Sequence, residues 1–259
     1  MESPAAMEPP PTCSVLGVPL AITDYAGAVA LTRSWVEEPE PQARAVGAAP
    51  THLVTHARRD PAFRRALDRF DLITPDGMPC VWFMNLKGAG LRDRVYGPTL
   101  MLHGLQQPGL SHFLLGGSPE MLEKLQANLR TRFPGIRIAG AHSPPFGSWS
   151  PEVDTRIIAE IAASGANYIW VGLGCPKQEL WIARNKPDLP PGVYFAVGAA
   201  FAFHAGMVKQ APRWMQNRGL EWLYRLLREP RRLWKRYAVY NTLFLYYAAK
   251  DLCFGEKPA

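Results

Sequence analysis

The sequence predicts an α/β fold, a mostly parallel sheet flanked by helices, with a basic and aromatic helical appendage at its C-terminal end. Three observations lead there. Short apolar runs that stop at glycine alternate along the chain with segments of helical spacing, the order from which parallel βαβ units are built. Several of those runs pass directly into a proline or serine that suits the start of a helix, as at Ser118-Pro119 and Cys175-Pro176. From Pro212 onward the alternation ends and arginine, tryptophan and tyrosine take over. The first two features describe a Rossmann-like core over residues 13–211, and the third an appendage over residues 212–259.

Residues 1–12 are proline-rich and lack the apolar content of a folded segment, so a disordered N-terminal tail is expected. Residues 13–22 read as a strand or hairpin. Thr23 or Asp24 can cap a helix running to about Val36, and 37–44 is a polar, proline-broken loop. Residues 50–54 are short and apolar-edged. A helix is expected over 55–70, where Ala62, Phe63, Ala66, Leu67 and Phe70 repeat at helical spacing with arginines on the other face. A brief strand over 71–74 ends in the turn Pro75-Asp76-Gly77-Met78-Pro79, and a helix follows to about Lys87.

The next strand is 111–115, which runs into Gly116 and Gly117. Ser118 caps a helix reaching about Phe133. A strand over 136–139, a loop of Ser, Pro and Gly to Ser150 and a helix over 151–164 come next. The run Tyr168 to Val171 is apolar throughout, as a strand buried on both faces would be. A last strand over 192–197 ends in Gly198-Ala199-Ala200.

At 259 residues the chain can bury a substantial core, and its net charge of +7 suits an anionic partner such as phosphate or lipid headgroups. Its four cysteines are widely spaced and form no CxxC pair, so neither a disulfide framework nor a zinc cluster is expected. The N-terminus has no basic and apolar signal pattern, and no run approaches the roughly 20 apolar residues of a membrane span. A cytoplasmic protein is therefore expected.

Two strand ends carry the chemistry. After Val171 the chain reads Gly172-Leu173-Gly174-Cys175-Pro176-Lys177-Gln178-Glu179. Its glycines let a bulky phosphate or sugar approach the backbone, and the helix behind them offers N–H groups to an anion. Pro176 fits the first helical position, while Lys177, Gln178 and Glu179 add a cation, an amide and a carboxylate. Asp76, between a proline and a glycine, stands where α/β folds place reactive groups, although an aspartate there also serves as a simple helix cap. In the tail, eight Arg or Lys residues face two glutamates between residues 213 and 236, with Trp214, Trp222, Tyr224 and Trp234 interleaved. That composition suits a helix lying in a membrane interface, and equally one whose apolar side packs on the core. No nucleic-acid motif accompanies it, so nucleic acid is not an expected partner.

Other chemistries lack their signatures. There is no GxSxG elbow and no P-loop, Lys177 stands where GxGxxG needs its third glycine, and no Asp-x-Asp pair can hold a cation on a nucleotide diphosphate. His52 and His56 share a helical face without a third ligand nearby, so no metal is expected. An anion site, one acid and a basic tail fit the transfer of a sugar from a nucleotide diphosphate to a hydroxyl. Asp76 would take the proton, and cationic and amide donors would hold the leaving diphosphate.

The chain resembles the bacterial WecG/TagA/CpsF glycosyltransferases, glycosyltransferase family 26. The resemblance rests on Thr74-Pro75-Asp76-Gly77-Met78-Pro79, the stretch Val171 to Glu179, Val197-Gly198-Ala199-Ala200-Phe201 and the tail from Ala211 to Arg232, in order and spacing over about residues 14–237. It implies an inverting transfer, without metal or other cofactor, from a UDP-sugar such as UDP-N-acetylmannosamine to a polyprenyl-diphosphate-linked sugar. Such products feed teichoic acid, capsule or related polysaccharides, made at the inner face of the cell membrane by a peripherally attached enzyme. It also implies Asp76 as the base and a nucleotide-sugar site at Gly77, Gly116, Gly172, Gly174, Pro176, Lys177, Gln178, Glu179 and Gly198. Arg213, Arg225 and Arg232 are the implied tail contacts to the diphosphate, and Thr51 and His52 border the acceptor or sugar pocket.

Two departures stand out. Ala49 lies in the segment where many members carry Thr-x-Asn, and Ala202 replaces the acid of Phe-Asp-Phe. They leave the donor sugar open, and they make a non-catalytic nucleotide-sugar-binding protein the alternative expectation. The sequence is compatible with a homo-oligomer and does not define one.

Overall fold

A computed structural model describes residues 7–255, apart from the side chains of Arg213, Asn217, Arg232 and Arg236. The proline-rich tail thus lies partly outside the described residues. Residues 7–11 have no regular structure, and the Pro11 carbonyl already accepts a hydrogen bond from the Ile22 N–H.

The chain begins with an antiparallel hairpin, β1 (Thr12–Val15) and β2 (Val18–Ala21), followed by α1 (Tyr25–Val36), β3 (Ala43–Ala49), α2 (Thr51–Arg59), α3 (Pro61–Leu67) and β4 (Leu72–Pro75). Then come α4 (Met78–Leu86), α5 (Gly97–Leu105), β5 (Ser111–Gly116), α6 (Pro119–Arg132), β6 (Arg137–His142) and α7 (Pro151–Ser164). The core closes with β7 (Tyr168–Gly172), α8 (Lys177–Asn185), a short 3-10 turn, β8 (Gly192–Ala196) and α9 (Ala200–His204). The tail is helical: α10 (Arg213–Asn217), α11 (Glu221–Arg228) and α12 (Pro230–Phe254).

Six strands form one parallel sheet in the order β4-β3-β8-β7-β5-β6, flanked by helices in a Rossmann-like arrangement. Its centre is aromatic: Trp170 stacks on Phe195 with centroids 4.3 Å apart, and Tyr168 meets both rings edge-on. A strand with both faces covered needs apolar residues at every position, which is why β7 reads as an unbroken run.

The structure corrects the sequence reading at three places. An inner strand, β3, occupies residues assigned in part to a loop. Apart from Arg44 and the single Val46 it is built from alanine and glycine, which are depleted in strands. The packing is close at Gly47, where a Cβ would press on the Phe70 ring at 3.2 Å. The single helix expected over 55–70 is two, α2 and α3. Pro61 cannot continue α2, and the Asp60 carboxylate restarts the chain by accepting the Ala62 and Phe63 N–H groups. Pro176 flanks α8 at its N-cap rather than occupying its first turn, and the Cys175–Pro176 peptide is cis.

The tail is not a free appendage. Phe244 and Ala248 of α12 are buried in one cluster with Leu53, Val54, Phe63 and Phe83. Thr51 Oγ1 donates to Asn241 Oδ1 at 3.2 Å, and Arg58 pairs with the buried Asp251 at 3.2 Å. Emptying the Phe244 position with Phe244→Ala should destabilise the whole fold by about 3 kcal/mol, the usual cost of such a cavity. Urea unfolding measures it, and an unchanged midpoint would mean that α12 does not share the core.

Candidate functional site

Parallel strands deliver their C-terminal ends to one edge of the sheet, where β3, β4, β7 and β8 open into a cleft of about 820 Å³. The tail forms part of its wall through Gly219, Glu221, Trp222, Arg225, Tyr237 and Asn241.

Asp76 lies on the floor, half-buried, directly after β4. Its backbone N–H donates to the Ala49 carbonyl at 3.2 Å, so the pairing of β3 with β4 fixes its position. It does not cap α4, whose N-cap is Gly77 with no side-chain hydrogen bond. Its Oδ2 instead accepts from the Gly97 N–H, the first of α5, at 3.1 Å. The positive end of α5 thus faces the carboxylate. Burial pushes the Asp76 pKa up to about 6, with Glu221 adding to the rise, while Arg94, the Gly97 N–H and Arg225 pull against it. A carboxylate held near neutrality is suited to accept a proton.

Arg94 organises the wall beside it. Its Nη2 donates to Glu221 Oε2 at 2.6 Å, and its guanidinium lies 4.2 Å over the Tyr96 ring. The Tyr96 hydroxyl donates to the other oxygen of Glu221. Burial disfavours the arginine's charge, but Glu221 and Asp76 outweigh this and hold it protonated. Burial, together with Glu221 and Asp76, raises the Tyr96 pKa far above the ordinary value and keeps it a neutral donor.

At the glycine-rich loop after β7, Gln178 joins two strand ends. Its Oε1 accepts from the Gly174 N–H at 3.1 Å and the Gly198 N–H at 3.0 Å, and its Nε2 donates to Glu179 Oε1 at 2.9 Å. Those two backbone donors, open to an anion in the sequence reading, are therefore directed at Gln178. Gly172 must be glycine for another reason, since a Cβ there would lie 2.8 Å from the Phe201 ring.

Of the residues singled out in the sequence, Thr51, His52, Asp76, Gly77, Gly172, Gly174, Gln178, Glu179, Gly198 and Arg225 line the cleft. Gly116, Pro176 and Lys177 do not. Gly116 packs against the backbone of Gly172, where a Cβ would come within 2.7 Å of that residue's carbonyl. The Lys177 ammonium turns away to the Gly147 carbonyl and lies 4.6 Å over the Trp149 ring. The side chains of Arg213 and Arg232 lie outside the described residues. The Nε of Arg225 is buried without a hydrogen-bond partner among the described residues, a donor left for something in the cleft.

Sequence reasoning passed over Arg94, Tyr96 and Phe146, all in segments between regular elements, and did not single out Glu221 or Asn241. A faint signal existed in Arg94-Val95-Tyr96-Gly97-Pro98, a cation and an aromatic just before a proline-started helix. His56 packs against Phe63 at 4.6 Å, and no group of three His, Cys, Asp or Glu residues fit to hold a metal occurs among the described residues. Nor is any described helix long and apolar enough to cross a membrane. In comparison with known protein families, the model of the Glycosyl transferase WecG/TagA/CpsF family matches residues 13–258.

Proposed function

The chain belongs to the WecG/TagA/CpsF glycosyltransferase family, and on that premise we propose that it is an inverting, metal-independent transferase. It moves a hexose or an N-acetylhexosamine of the N-acetylmannosamine type from a UDP-sugar to a polyprenyl-diphosphate-linked acceptor in cell-surface polysaccharide biosynthesis. The observation that carries this reading is Asp76 itself, a carboxylate at a strand end on the floor of the cleft with its pKa pushed up to about 6.

In the reaction, the acceptor hydroxyl oxygen bonds to the anomeric carbon of the donor as Asp76 takes its proton. The bond from that carbon to the diphosphate breaks on the opposite face, and UDP departs with the electron pair, so the configuration inverts. Arg225, whose Nε has no hydrogen-bond partner among the described residues, donates to the departing diphosphate and offsets its charge. Arginine supplies the positive charge here, and the carboxylate of Glu221 is occupied by Arg94 and Tyr96 rather than open to a cation.

The alternative, a non-catalytic nucleotide-sugar-binding protein, draws on Ala202, which lines the cleft where the resemblance expects a carboxylate. UDP release from a panel of UDP-sugars, with and without a polyprenyl-diphosphate-linked sugar, separates the two. Transfer is expected only with the acceptor, and Asp76→Asn should keep UDP binding while turnover falls by roughly 100- to 10,000-fold. Because the base must be ionised, kcat/KM of the native chain should fall as pH drops through about 6. UDP binding without turnover of any donor, or full turnover in Asp76→Asn, contradicts the proposal.

Peripheral attachment at the inner face of the membrane belongs to the same reading. Trp214, Leu227, Trp234, Leu245 and Tyr246 are exposed on the basic tail, where apolar rings beside arginines suit an anionic lipid surface. Replacing Leu227 and Trp234 together by glutamate should weaken sedimentation with anionic vesicles, more at low salt than at high, without lowering the melting temperature. Unchanged sedimentation would remove the membrane from the account.

A further inference from the structure

The Gly97 N–H that holds Asp76 Oδ2 belongs to the first turn of α5, and that turn has to be held in its own right. Pairing with β4 reaches as far as Val95, whose N–H donates to the Pro75 carbonyl at 2.9 Å. Tyr96, the N-cap of α5, makes no side-chain cap bond. Two residues from other elements grip the turn from there on. The hydroxyl of Tyr25, the first residue of α1, accepts from the Tyr96 N–H at 3.1 Å, and its ring stacks on His103 of α5 at 4.9 Å. His204, the last residue of α9, brings Nε2 to 2.8 Å from the Pro98 carbonyl.

A carbonyl oxygen can only accept, so the His204 proton sits on Nε2 and the imidazole donates. Burial, helped by Arg132, lowers the pKa of this ring against the pull of the Pro98 carbonyl, and the neutral form is favoured. Its backbone is anchored in turn, because the Asn128 side-chain amide of α6 donates to the His204 carbonyl at 2.9 Å. Neither His204 nor Tyr25 lines the cleft, so any effect on the chemistry passes through α5. We infer that His204 and Tyr25 are positioning residues: through the Pro98 carbonyl and the Tyr96 N–H they fix the first turn of α5, and with it the N–H that Gly97 presents to Asp76. With Oδ2 taken by Gly97, proton transfer falls to Oδ1. This rests on the reading of Asp76 as the base.

The test removes one hydrogen bond at a time and keeps the bulk of the side chain. His204→Phe and Tyr25→Phe each delete one tie to α5, while Arg94, Glu221 and Arg225, the charged groups that face Asp76, stay in place. Carbon-13 NMR titration of the Asp76 carboxyl in the full chain reads the result without substrate. The Gly97 bond favours the ionised carboxylate, so loosening it should raise the midpoint by about 0.5–1 pH unit in each variant, part of what a full hydrogen bond to a charge is worth. His204→Gln, which keeps an N–H donor, should stay within about 0.3 unit of the native midpoint. With a UDP-sugar and acceptor, His204→Phe should lower kcat roughly 10-fold and leave the donor KM unchanged, as displacement of a reacting group does. A native midpoint in either phenylalanine variant overturns the role of that residue, and an equal rise in His204→Gln overturns that of the imidazole N–H. Both outcomes leave the transferase reading standing. Raised midpoints in a chain that transfers no sugar overturn the transferase reading instead and leave the positioning intact.

Discussion

The ion pair between Arg94 and Glu221 joins residues 127 positions apart and makes the end of the chain part of the site. Each side chain is only 9% exposed, and Glu221 is shared with the Tyr96 hydroxyl. Either partner left alone would be a buried unpaired charge, at a cost on the order of 3–5 kcal/mol. Such a contact is demanding in geometry and contributes more to placement than to net stability. Once Glu221 is fixed at the start of α11, Arg225 one turn on falls within the cleft, over the ring of Phe203. Hydrophobic burial does the rest, with Phe244 and Ala248 seating α12 on α2.

Burial and that pair together set the electrostatics of the acid. Asp76 experiences an arginine that favours its ionised form and a glutamate that opposes it, on a floor where burial dominates both. Desolvation lifts the carboxyl, Arg94 and the Gly97 N–H limit the rise, Glu221 adds to it, and the carboxyl comes to rest near the pH at which a proton can be taken and returned.

The fold was legible where chemistry is dense, at Pro75-Asp76-Gly77 and at Gly172 to Pro176, because turn residues follow apolar runs there. It was illegible at β3, whose alanines and glycine serve close packing and leave no apolar pattern. The break between α2 and α3 was marked by Pro61, but a run of helical spacing on both sides masked it. Site residues separated in the same way. Asp76, Gln178 and Gly198 stand at strand ends, and strand ends converge. Lys177 neighbours Gln178 in sequence, yet successive positions on a helix face different ways, and its ammonium leaves the cleft for the loop that carries Phe146. Arg94 and Glu221 gain their meaning only from each other, across a contact that no local pattern announces.

In the proposed mechanism the half-buried Asp76 accepts the proton of an acceptor hydroxyl. Carbon-13 NMR titration of the Asp76 carboxyl in the full chain, assigned by its loss in Asp76→Asn, measures that property without any substrate. A midpoint near 6 is expected. A midpoint at the ordinary 3.8 would contradict it, since Asp76 would then be a solvated carboxylate with no special tuning for the task.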